Sequence, residues 1–111
     1  MNKFILFFIS MTILTLLSSE AAVYKGQKIY REHCVSCHTN AQAFVAEYDK
    51  EYWTNAMKEK GAALAQSHLK NDKAKKSWDY FKSAKYSKKS KHLSQFLVEY
   101  AKGSGKVPAC N

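Results

Sequence analysis

The sequence predicts an all-α domain, and three observations predict it. Apolar residues recur at three- and four-residue intervals in several separate segments, which is the signature of a helical face. No stretch alternates apolar and polar residues with β-branched enrichment, so no sheet is expected. The chain is 111 residues long, which allows one domain at most.

The first segment stands apart from that fold. Lys3 is followed by a 14-residue apolar run from Phe4 to Leu17, broken only by Ser10, Thr12 and Thr15, and then by Ser18-Ser19-Glu20-Ala21-Ala22. A basic start, a short apolar core and a small-x-small exit make a secretory signal peptide spanning 1–21. Cleavage after Ala21 places Ser19 and Ala21 in the small-residue positions. A retained anchor is the competing reading, but 14 residues fall short of the roughly 20 that a membrane span needs. The expected domains are therefore 1–21 as signal peptide and 22–111 as the exported domain, soluble in the periplasm without stable membrane insertion.

The first mature helix is expected over 24–38, with Gly26, Ile29, Tyr30, Cys34, Cys37 and His38 at helical spacing. A second runs over about 44–60, carrying Phe44, Tyr48, Tyr52, Trp53, Ala56 and Met57, and Gly61 ends it. Residues 62–70 form a third, short helix. Trp78, Phe81 and Tyr86 anchor a lysine-rich stretch, and a last helix over 91–102 presents Leu93, Phe96, Leu97 and Tyr100 before Gly103 stops it.

Composition adds two constraints. Lys plus Arg number 18 against 9 acidic residues, a formal charge of +9, and the mature chain keeps that charge because Lys3 and Glu20 leave together. Aromatic content of 14% excludes a disordered basic tail. Three cysteines do not make a disulfide scaffold, which takes an even number. A mature domain of this size buries only about 60–65% of its surface, so a staple beyond aliphatic packing is expected.

Cys34-Val35-Ser36-Cys37-His38 is that staple. It is the pattern of c-type haem attachment. On a helical turn, positions i, i+3 and i+4 face one way, so two thiols can add to two vinyl groups of one haem while the adjacent imidazole reaches the iron. Cys34 and Cys37 are the covalent haem ligands and His38 the proximal iron ligand; one haem c per chain is expected. A thioredoxin-type pair would want a preceding strand and a depressed thiol pKa. A zinc site would want two further ligands at matching spacing.

Tyr24 to His38 resembles the N-terminal helix of small class I c-type cytochromes, with Gly26 and Tyr30 at that family's glycine and aromatic positions. Leu93 to Tyr100 resembles its C-terminal helix. The resemblance implies an all-α cytochrome c-like fold of about four to five helices wrapped around one covalently attached haem. It also implies a helix crossing at Gly26, with Leu97 and Tyr100 facing Gly26 and Tyr30. It covers both ends of the mature chain and not residues 44–90.

The sequence departs from that family at the sixth iron ligand. The family usually supplies a methionine from the loop before the last helix, and residues 70–91 contain none. His92, at the start of the expected last helix, is the first candidate. His68 on the short helix and Met57, whose ordinary fate is core packing beside Trp53, are the alternatives; a lysine, Cys110 or an open position complete the set. His33 is expected on the surface. A Met/His pair raises the reduction potential, and a His/His pair is expected to lie lower.

Between Lys70 and Lys91, nine lysines face only Asp72 and Asp79, a net +7. Such a patch reads as a solvated face or as a docking surface for an acidic redox protein, which it would steer into encounter. Nucleic acid is not an expected partner of an exported haem protein. Cys110 has no intrachain partner once Cys34 and Cys37 hold haem, which leaves an intermolecular contact or a terminal thiol of no consequence. The function expected is a periplasmic monohaem electron carrier rather than an enzyme, standing alone or as the small subunit of an oxidoreductase. A haem-based gas sensor or peroxide-type enzyme with an open iron position is the alternative.

Overall fold

The computed structural model describes residues 20–108. The expected signal segment, except for its last two residues, and Cys110 lie outside them. Six α-helices and two 3₁₀ turns form the described chain: α1 over 20–33, α2 Ala41–Phe44, a turn Val45–Glu47, α3 Lys50–Ala56, α4 Lys58–Leu69, a turn Asp72–Ser77, α5 Trp78–Lys82 and α6 Ala84–Glu99. No strand occurs among the described residues; one isolated bridge pairs Asp49 with Lys102. None of the described helices is long and apolar enough to cross a membrane.

Short polar side chains set where the helices begin. Asn40, Asp49 and Ser83 each accept a hydrogen bond from a backbone N–H three residues on, at 3.0, 2.8 and 3.3 Å. These bonds satisfy donors that the first turn of a helix leaves open.

The core lies where α1 crosses α6. Tyr30, Leu93, Phe96 and Leu97 are all at most 2% exposed, and the Tyr30 and Phe96 rings pack at 5.7 Å. Gly26 makes the crossing possible: a Cβ there would stand 2.1 Å from the His92 carbonyl oxygen and 2.6 Å from the Phe96 Cβ. The residues facing Gly26 are therefore His92 and Phe96, where the family resemblance led us to expect Leu97 and Tyr100. Phe96 also packs its ring on Tyr30, while Tyr30 and Leu97 line the same lobe of a cleft.

Three helices differ from the sequence expectation. The helix expected over 44–60 is broken: α2 ends at Phe44, the 3₁₀ turn and an extended Tyr48 follow, and α3 starts again at Lys50, capped by Asp49, and ends at Ala56. α1 stops at residue 33, so the cysteine motif is not its continuation but a separate turn. α6 starts at Ala84 rather than near 91. Its buried stripe is Tyr86, Ser90, Leu93, Phe96 and Leu97. Ser90 hides that stripe from a hydropathy reading, yet it is small enough to bury and its hydroxyl donates to the Ser87 carbonyl at 2.9 Å.

The break expected at Gly61 is present. Glu59, Lys60 and Gly61 all take left-handed conformations, with φ of 53°, 55° and 77°, so regular helix resumes only at 62. For a non-glycine residue this conformation costs about 1–2 kcal/mol. A buried bond holds the segment in place: the Tyr86 hydroxyl donates to the Gly61 carbonyl at 2.7 Å. A Cβ at Gly61 would lie 2.2 Å from that hydroxyl oxygen.

Candidate functional site

The motif occupies a single turn closed on itself. The Cys34 N–H donates to the Tyr30 carbonyl at 2.9 Å, ending α1, and the Cys34 carbonyl accepts from the N–H groups of Cys37 (3.2 Å) and His38 (2.9 Å). One isolated helical turn thus keeps the i, i+3, i+4 arrangement without a continuous helix. The Tyr30 hydroxyl donates to the Thr39 carbonyl at 2.7 Å and ties the chain leaving this turn back to α1.

Burial pushes the Cys34 thiol up to about 12, with Cys37 adding to the shift. That is opposite to the depressed value a redox-active thiolate requires. Cys34 is partly buried and Cys37 lies on the exposed side. Burial also lowers the His38 pKa, and neighbouring His68 pushes it the same way, which favours the neutral ring. The His38 ring stacks on Phe44 at 4.0 Å with planes 21° apart.

His38 and Cys34 open onto a cleft of two adjoining lobes, about 220 and 190 Å³, which share Cys34, His38, His68 and Phe81 as walls. Both lobes are mainly apolar, with different residues on their walls. One is lined by aromatic and aliphatic groups, among them Tyr30, Phe44, Trp53, Leu64, Leu93 and Leu97. The other carries Asn71, Lys73, Ser77 and His33. Trp53 is fixed by its indole N–H, which donates to the Val45 carbonyl at 2.9 Å. A large flat apolar group fits such a cleft, since apolar walls exclude water from its body, and Asn71 and Lys73 offer polar contacts on one lobe. Two thiols and an imidazole on one turn at the mouth of such a cleft suit haem c.

The structure separates the candidates for the sixth position. His68, near the end of α4, lines both lobes and faces His38 at 6.0 Å between ring centroids. His92 lines neither lobe. It lies in a separate recess between α1 and α6, beside Lys25, Lys28, Lys85 and Lys89. Met57 is buried in the core, its methyl carbon 3.2 Å from the position of a Cβ at Gly61, and also lines neither lobe. His33, expected on the surface, is half-buried with its ring stacked on Tyr80 at 3.8 Å. Of the predicted residues, Cys34, Cys37, His38 and the alternative His68 come together; His92 and Met57 do not join them.

Three aromatic residues escaped sequence reasoning as parts of the site. Phe44 and Phe81 stack on the two facing histidines, Phe81 at 4.3 Å from His68. Trp78 donates its indole N–H to the His68 carbonyl at 2.8 Å. Their helical spacing marks them only as core, and nothing in the pattern tells a ring that packs a core from a ring that orients a ligand.

With this geometry in hand, comparison with known families matches residues 23–101 to the cytochrome c model. No curated protein and no solved structure matches the chain.

Proposed function

The chain belongs to the cytochrome c family, whose members are electron-transfer haem proteins, and from that premise we propose that it is a monohaem electron carrier of the periplasm. The observation that supports this reading best is the isolated turn carrying Cys34, Cys37 and His38 at the mouth of an apolar cleft. Cys34 and Cys37 would hold the group through thioethers and His38 would be its proximal iron ligand. Bound haem supplies a one-electron ferric/ferrous couple. The chain's part is to fix its orientation with the His38–Phe44 stack, to exclude water with Trp53, Leu93 and Leu97, and to leave the Cys37 side exposed for electron exchange.

All nine lysines between Lys70 and Lys91 are exposed, and Lys73 lines one lobe of the cleft itself. Lys75 and Lys82 flank the Trp78 ring at 5.7 and 5.5 Å. Positive charge thus reaches the rim of the site, which supports docking of an acidic redox protein in a fast, weak encounter. That partner, a role as small subunit of an oxidoreductase, and export directed by residues 1–21 belong to the same proposal.

The test is maturation in a bacterial periplasm with haem-attachment machinery. Haem that stays with the polypeptide after denaturation, at one per chain, and that cycles reversibly between two oxidation states is the expected result. Haem that separates on denaturation, or that is lost only in part from a Cys34→Ala, Cys37→Ala double variant, overturns it.

A further inference from the structure

The family's usual methionine is missing before the last helix, yet the cleft carries a second imidazole on the side facing His38. We propose that His68, delivered from the end of α4, is the second axial ligand of the iron, so that the centre is a bis-histidine one; this rests on the haem reading above.

Distance is the first support. A metal–imidazole bond runs about 2.0–2.1 Å, and two such bonds plus the half-widths of two rings come to about 6 Å between centroids. The His38 and His68 centroids are 6.0 Å apart, with ring planes crossed at 78°. Both rings line both lobes of the cleft.

Tautomer is the second. His68 Nδ1 is 2.7 Å from the Leu64 carbonyl oxygen. A carbonyl only accepts, so Nδ1 carries the proton and Nε2 presents its lone pair. A backbone carbonyl holding the far nitrogen of a metal-bound histidine is a recurrent arrangement, because it fixes the ring and raises its basicity.

Immobilisation is the third. Phe81 stacks on the His68 ring, Phe44 stacks on the His38 ring, and Trp78 grips the His68 backbone carbonyl. Neither His92 nor Met57 has a place on the cleft. These contacts hold both the ring and the backbone of His68 in place beside the proximal imidazole.

The experiment compares haem-loaded wild type with His68→Ala, His68→Met, His92→Ala and Met57→Leu, by ferric and ferrous absorption spectra with and without carbon monoxide. Wild type is expected to be low-spin and to ignore carbon monoxide when reduced. His68→Ala is expected to become high-spin and bind carbon monoxide stoichiometrically, while His92→Ala and Met57→Leu keep the wild-type spectrum. His68→Met changes the spectrum either way, by raising the potential as a ligand or by opening the site. A low-spin His68→Ala spectrum, or a His92→Ala or Met57→Leu variant that opens the iron, overturns the assignment. Wild type alone also decides it: a far-red ferric band from a thioether ligand, or ready carbon monoxide binding, overturns it without any variant. A chain that carries no covalent haem refutes the carrier reading as well, and the denatured haem spectrum tells that failure from the others.

Discussion

Replacing Gly26 by alanine tests whether the α1–α6 crossing governs the stability of this fold. The added methyl carbon would sit 2.1 Å from the His92 carbonyl oxygen, against the 3.4 Å or more of an ordinary contact. That oxygen belongs to helix backbone and cannot swing aside, so α6 must retreat as a body. The retreat draws Phe96, Leu93 and Leu97 away from Tyr30, all of them nearly or wholly inaccessible. Overpacking of this kind costs about 1–3 kcal/mol, and an immobile backbone neighbour puts the site at the top of that range. Alanine returns about 1 kcal/mol through its better helix propensity. The net loss of about 2 kcal/mol lowers Tm by about 8–16 °C in a domain of this size, at about 4–8 °C per kcal/mol. Thermal melting of the haem-loaded protein by far-ultraviolet circular dichroism measures it. Gly103→Ala is the control: its φ is +81° but nothing lies within 4 Å, so only the left-handed cost of about 1 kcal/mol is felt. A Gly26→Ala protein that melts within a degree or two of wild type, or above Gly103→Ala, would refute the close-crossing argument.

Three further outcomes follow from individual contacts. Tyr86→Phe removes the hydroxyl that satisfies the buried Gly61 carbonyl, and should cost about 1–3 kcal/mol; Tyr24→Phe, on an exposed ring, should be silent, and equal melting of the two variants contradicts the reading. Converting Lys73, Lys75 and Lys76 to glutamate should slow electron transfer with an acidic protein partner by at least about tenfold at low ionic strength, with the gap closing as salt screens it; a salt-independent rate equal to wild type rules out steering by this patch. Burial first, with Lys85 assisting against Glu32, lowers the His33 pKa from its usual value. Below about pH 6.5 the unfolded chain therefore takes up a proton that the folded chain refuses, and stability falls with pH until the folded value is passed. His33→Gln should flatten that part of the profile, read as the difference in urea midpoint between pH 7.5 and 5.5; an unchanged difference shows that His33 titrates freely.

The all-α class was legible because it rests on periodicity, and periodicity survives errors at helix ends. Gly61 was legible as a break because a left-handed residue was required there and glycine supplies it without strain. That Cys34, Cys37 and His38 come together at the cleft was legible because their spacing places them on one turn. That the spacing is met by a lone turn was not legible, since i, i+3 and i+4 read the same on four residues or fourteen. The two phenylalanines stacked on His38 and His68 were invisible for a different reason. Aromatic spacing states which way a ring faces on its own helix, and the identity of what it meets depends on how α2, α4 and α5 are brought together.

The histidine ranking shows what chain order can and cannot carry. Chain order favours His92, which follows His38 at the place where the family's ligand enters, only if α6 begins near residue 91. α6 begins at Ala84, which makes His92 a mid-helix residue and fixes its phase: with Lys85 and Lys89 it shares the i, i+4, i+7 face that meets α1. Tyr86, Leu93 and Leu97 take the inward face instead. A serine at position 90 is what concealed the early start, since it interrupts an apolar stripe without interrupting the helix. Had the stripe Tyr86, Ser90, Leu93, Leu97 been read with serine admitted as a small buried residue, the phase of His92 would have followed from the sequence.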